Sequence, residues 1–106
     1  MTVLLTEGTD YTIKKAGTSG GVTSLLIRTK ATADATNTLV ITLSKWGIGP
    51  TGFIGLIGFS ETTDDSVYAQ EADTTAVSSG VLTITIPAGT DNDRRHIVVY
   101  GQVINP

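Results

Sequence analysis

The sequence of 106 residues contains no cysteine, a single histidine, a single tryptophan and few charged residues. The absence of cysteine excludes disulfides, zinc–thiolate sites and thiol catalysis. Charged residues make up 16% of the chain, and the formal net charge is -3. Because binding to a phosphate backbone requires a basic surface, this charge balance argues against a nucleic-acid partner.

Long hydrophobic runs are also absent. The most apolar segment, residues 53–59, is far shorter than the roughly 20 residues needed to cross a bilayer. The first ten residues have neither the basic region nor the apolar stretch of a signal peptide. We therefore expect no membrane contact. The compartment stays undetermined, since a virion and the cytoplasm both suit such a chain.

The most distinctive segment present is residues 46–60, which hold the tryptophan, both phenylalanines and five glycines. With strand spacing, Phe53 and Ile57 fall on one face, and Ile54 and Leu56 fall on the other. A strand that is apolar on both faces is typical of the middle of a layered core. The pattern therefore predicts a central strand, entered by a turn at residues 47–51.

Other segments alternate between apolar and polar residues with a period of two, and no segment shows helical spacing. Turn-forming residues separate them, and residues 16–21 and 31–37 are predicted loops. These features predict one all-β domain over residues 1–106, an antiparallel β-sandwich of about seven or eight short strands. A partly closed β-barrel is the alternative.

Three short motifs resemble functional sites, but each lacks part of what its chemistry needs. Residues 47–52 match G-x-G-x-x-G but lead into a predicted strand, not the helix whose amides bind a pyrophosphate. Residues 17–21 match G-x-S-x-G, yet Ser19 has only His96 as a possible imidazole base. Residues 91–93 begin like a calcium loop, then continue with arginine. We expect no enzyme activity, cofactor or metal; a small hydrolase is the weakest alternative.

Arg94 and Arg95 are the only adjacent arginines in the chain. We expect them to pair with nearby carboxylates, because ion pairing offsets the cost of holding charge close to a sheet. The candidate carboxylates are Asp91, Asp93, Glu61, Asp64 and Asp65.

Several predicted strands carry aliphatic or aromatic residues on the face that their neighbours leave to threonine. Grouped on one sheet, such side chains form a patch that is typical of subunit contacts. We therefore predict a homo-oligomer or a larger protein assembly. The predicted interface consists of Leu26, Val40, Val81, Val98, Tyr100 and Ile104.

The aromatic residues offer an alternative function. Trp46 and Tyr68 are candidate ligand contacts, because aromatic rings can stack on sugars, as they do in carbohydrate-binding sandwiches. On this interpretation the chain is a small module that binds carbohydrate or another ligand.

The chain also resembles the small all-β structural proteins of tailed phages and archaeal viruses. The residues that carry the likeness are GFSETTDDSV (58–67), GVLTITIPAGT (80–90) and RRHIVVYGQV (94–103). The resemblance implies a non-enzymatic virion component, such as a capsid-decoration protein, that works by rigid contact with its neighbours.

Overall fold

Strands dominate the protein. A computed structural model describes residues 4–63, 67–87 and 93–103. Leu43–Trp46 form one turn of 3-10 helix. The strands are β1 (Tyr11–Ser19), β2 (Val22–Thr29), β3 (Thr38–Thr42), β4 (Ile48–Thr63), β5 (Val67–Glu71), β6 (Thr74–Ser78), β7 (Val81–Thr85) and β8 (Arg94–Val103).

The described strands form two antiparallel sheets. One sheet has five strands in the order β1-β2-β8-β4-β5, and the other has three in the order β3-β7-β6. The two sheets pack together, and the described strands close neither sheet into a barrel. The predicted all-β sandwich is therefore confirmed.

The core lies between the sheets and follows from the period-two alternation. Leu25 and Ile27 of β2 are buried, whereas Leu26 between them is exposed. The three-stranded sheet repeats this pattern, with Val81, Thr83 and Thr85 as the outward residues of β7. The fully buried aliphatic side chains include Leu25, Ile27, Leu39, Ile41, Leu43, Ile48, Leu82, Ile84, Ile86, Ile97 and Val99.

The apolar run at residues 46–60 differs from its prediction in three ways. β4 already begins at Ile48, so the predicted entry turn at residues 47–51 is confirmed only at Gly47, and residues 48–51 are strand. A bulge between Phe53 and Gly55 rotates Phe53 onto the core side. The outer face of β4 is not buried, since Ile57 is 39% exposed. The central strand of the five is β8.

The predicted loop at residues 16–21 is also wrong. β1 continues to Ser19 past a bulge between Lys15 and Gly17. Gly20 and Gly21 then close a hairpin with φ of 62° and 80°. Two successive positive φ values are the requirement of a type I′ turn, whose twist matches that of the paired strands. The predicted loop at residues 31–37 contains no strand or helix, as expected.

Candidate functional site

The outer face of the five-stranded sheet carries a row of apolar side chains. Leu26 of β2 lies opposite Val98 of β8, which in turn lies opposite Ile57 of β4. Leu26 is 44% exposed, and Val98 is half-buried. Because side chains directly opposite each other on one face are about 5 Å apart, these three form a continuous apolar surface.

Tyr100 extends this surface by one step along β8. It lies opposite Ser24 on one side and Gly55 on the other, so no large side chain flanks its ring. We name Leu26, Ile57, Val98 and Tyr100 the outer apolar patch. Ile54, the residue before Gly55, adds a further aliphatic side chain that is 55% exposed.

The six residues of the predicted interface do not form one surface. Leu26, Val98 and Tyr100 belong to the outer apolar patch. Val40 of β3 and Val81 of β7 lie in the other sheet, facing away from its buried residues. Ile104 lies outside the described residues. The prediction of a single cluster is therefore wrong for Val40 and Val81, because alternation assigns a face but not a sheet.

Ile54 and Ile57 are exposed apolar residues of the five-stranded sheet that were not part of the predicted interface. Sequence reasoning assigned both to a strand buried on its two faces. The three-stranded sheet covers only one face of the five-stranded sheet, and the other face stays exposed. The apolar spacing of residues 53–59 predicts a strand with two apolar faces, but it does not distinguish a buried face from an exposed one.

The two candidate ligand contacts lie on different elements. Trp46 ends the 3-10 helix, packs partly against the core and has Lys45 Nζ at 5.7 Å from its ring centroid. Tyr68 of β5 is 49% exposed and tilts against His96, with ring centroids 5.4 Å apart. No cleft among those we describe is lined by either ring, so the structure does not bring them together as a binding platform.

Arg95 forms an ion pair that differs from the predicted ones. Its side chain is fully buried, and its Nε and Nη2 donate to the two carboxylate oxygens of Glu71 at 3.1 and 3.3 Å. Its Nη1 donates to the carbonyl oxygens of Ala33 and Asp93 at 2.7 and 2.9 Å. Glu71 was not among the expected partners. Of those, Asp64, Asp65 and Asp91 lie outside the described residues.

Arg94, the neighbouring arginine, is only half-buried and points to the opposite face. Its Nη1 donates to the carbonyl oxygen of Thr29 at 2.9 Å. The two arginine side chains therefore lie on opposite faces of the sheet, and only Arg95 lies between the two layers.

Asp73 lies beside the Arg95–Glu71 pair, in the connection between β5 and β6. Among the residues that the structure describes, neither of its carboxylate oxygens has a hydrogen-bond partner, and both are shielded from solvent. The carboxylate packs against Gly58, and a Cβ atom added at Gly58 would overlap Asp73 Oδ2. Desolvation and then the charge of Glu71 raise the pKa of Asp73 to about 7, while Arg95 acts in the opposite direction. This carboxyl therefore keeps its proton at pH values where an ordinary aspartate has lost it.

His96 and Glu61 form a second polar pair on the outer face. His96 Nε2 lies 2.9 Å from Glu61 Oε1, and the Glu61 side chain is 3% exposed. Ser19 pairs with Val22 at the far end of β2, six residues from Arg28, which pairs with His96. At about 3.4 Å per residue, Ser19 and His96 are about 20 Å apart. They cannot act as a nucleophile and its base.

The remaining motifs show no assembled site in the described ranges. Residues 47–52 run into β4, so no helix follows the G-x-G-x-x-G match. Asp91 and Asn92 lie outside the described residues. Within the part of the chain that is described, no three acidic or histidine side chains group as a metal site, and no helix is long and apolar enough to cross a membrane.

A scan against protein-family models, a search of curated proteins and a search of solved structures return no match.

Proposed function

We propose that this chain is a non-enzymatic structural protein that self-associates through the outer apolar patch. The observation that supports the proposal is the row Leu26–Val98–Ile57, which leaves aliphatic side chains exposed on three adjacent strands. Exposed apolar surface is unfavourable in water, and its removal from water is the main driving force for association. A second copy of the chain supplies an apolar surface of the same kind.

A twofold contact fits the arrangement of the row. With the axis parallel to β8 and near Val98, Leu26 of one copy meets Ile57 of the other, since the two flank Val98 on opposite sides. No residue of the outer apolar patch is charged, so this face-to-face contact places no like charges together. Lys14, opposite Leu26, lies at the margin of the contact, where its ammonium group stays solvated.

The strength of such a contact is modest. Full burial of one aliphatic side chain contributes about 1.5–3 kcal/mol, and these side chains are already partly covered. Association costs at least about 4 kcal/mol in lost translational and rotational freedom. We therefore expect a weak contact that becomes stable when it is repeated across an assembly, because neighbouring contacts raise the effective concentration.

A virion is the assembly that we propose. The support is the resemblance of residues 58–67, 80–90 and 94–103 to small all-β virion proteins, together with a fold whose exposed surface is apolar on one sheet. Genes for capsid, portal or tail components beside the coding sequence would strengthen this proposal. A gene neighbourhood composed of metabolic enzymes would count against it.

Light scattering coupled to size-exclusion chromatography at micromolar and higher concentrations tests the self-association. We expect the wild-type mass to exceed that of one chain and to rise with concentration. Leu26→Glu adds a charge to the outer apolar patch, where Lys14 can pair with it, and should lower the mass below that of the wild type. Thr42→Glu, at an exposed position of β3 in the other sheet, is the matched control and should leave the mass unchanged. A wild-type protein that is monomeric at all concentrations would overturn the proposal.

A further inference from the structure

Strand β6 is an edge strand that is exposed along its whole length. It ends the three-stranded sheet, paired with β7 on one side only. All five of its residues, TTAVS, are exposed, and Val77 is 41% exposed although it faces inward beside Leu82. An edge strand of this kind offers a row of backbone groups to which another strand can pair.

The backbone groups on the free edge can be assigned from the hairpin that joins β6 to β7. Ser79 and Gly80 have φ of 52° and 75° and form a two-residue turn, flanked by the pair Ser78 and Val81. The hydrogen bond of the turn joins these flanking residues. Because hydrogen-bonded and non-bonded pairs alternate along an antiparallel ladder, Val77 and Thr75 direct their N–H and C=O groups away from β7.

The other edges carry features that oppose pairing with a new strand. β1 has a bulge between Lys15 and Gly17, and its two lysines add positive charge. β3 is met at Thr38 by the chain at Leu4, and Leu5 N donates to Thr38 O at 2.8 Å. β5 contains Glu71. Charges, bulges and covering chain are the usual protections of an edge. β6 has no charge, no proline and, in its described pairing with β7, no bulge.

We infer that β6 pairs with the β6 strand of a second copy, antiparallel and with Ala76 on the twofold axis. In this register Thr75 lies opposite the partner's Val77. The backbone N–H and C=O groups of Thr75 and Val77 in one copy form four hydrogen bonds in total with the same groups of the other copy. The two three-stranded sheets then become one continuous six-stranded sheet.

The composition of β6 favours a second copy over an unrelated strand. A twofold contact brings residues close to the axis near their own equivalents, so a charge there would face a like charge. β6 has none, and its small side chains let two backbones approach. An added strand also borders the groove of about 440 Å³ between β6 and the start of β4, which is lined in part by Val77, Phe53 and Pro50.

This inference builds on the proposed self-association but uses a different surface. The outer apolar patch lies on the five-stranded sheet, whereas β6 is the edge of the three-stranded sheet. A chain with two separate twofold contacts joins more than two copies, because each copy can bind one neighbour by each contact. The product is an extended or ring-like assembly, not an isolated dimer.

Cysteine cross-linking in the full chain tests the register, and the absence of native cysteine makes each variant report one position. Ala76→Cys places two thiols on the axis in a non-hydrogen-bonded pair, with Cα atoms about 4.5 Å apart. This distance lies within the range that a disulfide requires. We expect a disulfide-linked dimer on mild oxidation.

Thr74→Cys and Ser78→Cys are matched controls, since both positions are as exposed as Ala76. Each variant alone should cross-link at least tenfold less than Ala76→Cys. In the proposed register its cysteine lies four positions along the strand, about 14 Å, from the same cysteine of the partner. A mixture of the two should form the mixed disulfide, because position 74 lies opposite position 78. Equal cross-linking by all three single variants would indicate random collision and overturn the inference.

Two further results separate this inference from the proposed function. If Leu26→Glu abolishes association and Ala76→Cys does not cross-link above its controls, the outer apolar patch is supported and the β6 contact is refuted. If Leu26→Glu has no effect on mass while Ala76→Cys cross-links with the expected register, the β6 contact is supported and the outer patch is refuted.

Discussion

Gly101 shows how a single missing side chain allows the layers to pack. It lies on the inner face of β8, where a Cβ atom would come within 2.6 Å of Ile48 Cγ2 and 2.9 Å of Ile48 Cδ1. Ile48 is completely buried, so it cannot move aside without disturbing the core. Glycine at this position is therefore a packing requirement, not a turn signal.

We expect Gly101→Ala to lower the free energy of unfolding by about 2 kcal/mol, the usual effect of overpacking a core. Gly55→Ala is the matched control, because a Cβ atom at that position meets nothing within 4 Å. It should change the stability by less than about 1 kcal/mol. Urea unfolding followed by the fluorescence of Trp46 measures both. Equal losses from the two variants would contradict the packing argument.

Asp73 predicts a dependence of stability on pH. Its pKa is about 7 in the folded protein against an ordinary value of 3.8, so the folded state retains a proton that the unfolded chain releases. The stabilising contribution of the neutral form is complete below pH 3.8 and is lost as the pH rises through about 7. This group alone therefore makes the protein more stable at pH 4 than at pH 8.

Asp73→Asn should remove that slope and stabilise the protein at pH 8 by about 1–2 kcal/mol, a value reduced for the partial exposure of the residue. At pH 4, where the carboxyl is already neutral in the fold, the variant should match the wild type closely. Chemical unfolding at several pH values between 4 and 8 provides the comparison. The same slope in the variant would assign the pH dependence to another group.

At the scale of elements, Arg95 connects three parts of the chain. It belongs to β8, binds the Glu71 side chain at the end of β5 and donates to the carbonyl of Ala33 in the loop before β3. Thr29 Oγ1 of β2 accepts a hydrogen bond from the Arg95 backbone N–H at 2.7 Å. A buried arginine is tolerated here because its donors find charged or carbonyl acceptors.

We expect Arg95→Met to cost about 3–5 kcal/mol, because it leaves Glu71 without its counter-ion beside Asp73. Arg94→Met removes a half-buried arginine and should cost about 1–2 kcal/mol. The double variant Arg95→Met/Glu71→Leu should recover part of the loss, since no unpaired carboxylate remains at position 71. Thermal unfolding of the three variants, with wild type as reference, tests this; a double variant less stable than Arg95→Met would oppose it.

At the scale of the whole molecule, the two proposed contacts predict a graded loss of assembly. Thr75→Pro removes a backbone donor from the free edge of β6 at a place where the native N–H faces away from β7, so the fold tolerates it. We expect Leu26→Glu and Thr75→Pro each to reduce the wild-type assembly to dimers, and the double variant to be a monomer.

Light scattering at one protein concentration measures the mass of all four proteins and distinguishes assembly, dimer and monomer. The double variant must keep the circular dichroism spectrum of the wild type, which shows that the sandwich is intact. A single variant that already yields only monomers would mean that one contact sustains the whole assembly.

The sequence predicted most of the strands and, outside β4, their inward faces, because both depend on neighbours two positions apart. Leu39 and Ile41 of β3 and Leu82 and Ile84 of β7 lie at alternate positions of their strands, and all four are buried. The fold class follows from the same local pattern. The outer apolar patch was partly predictable for the same reason, since Leu26 and Val98 are outward residues of alternating strands.

Sheet membership, strand order and register were decided only by the tertiary structure. Val98 lies opposite both Leu26 and Ile57, residues separated from it by 72 and 41 positions, and Arg95 binds Glu71 across 24 positions. Nothing local in the chain specifies such pairs, because they arise when two layers bury the largest total apolar area. This packing of the two layers leaves one face of β4 and the edge of β6 exposed. The proposed assembly depends on these two surfaces.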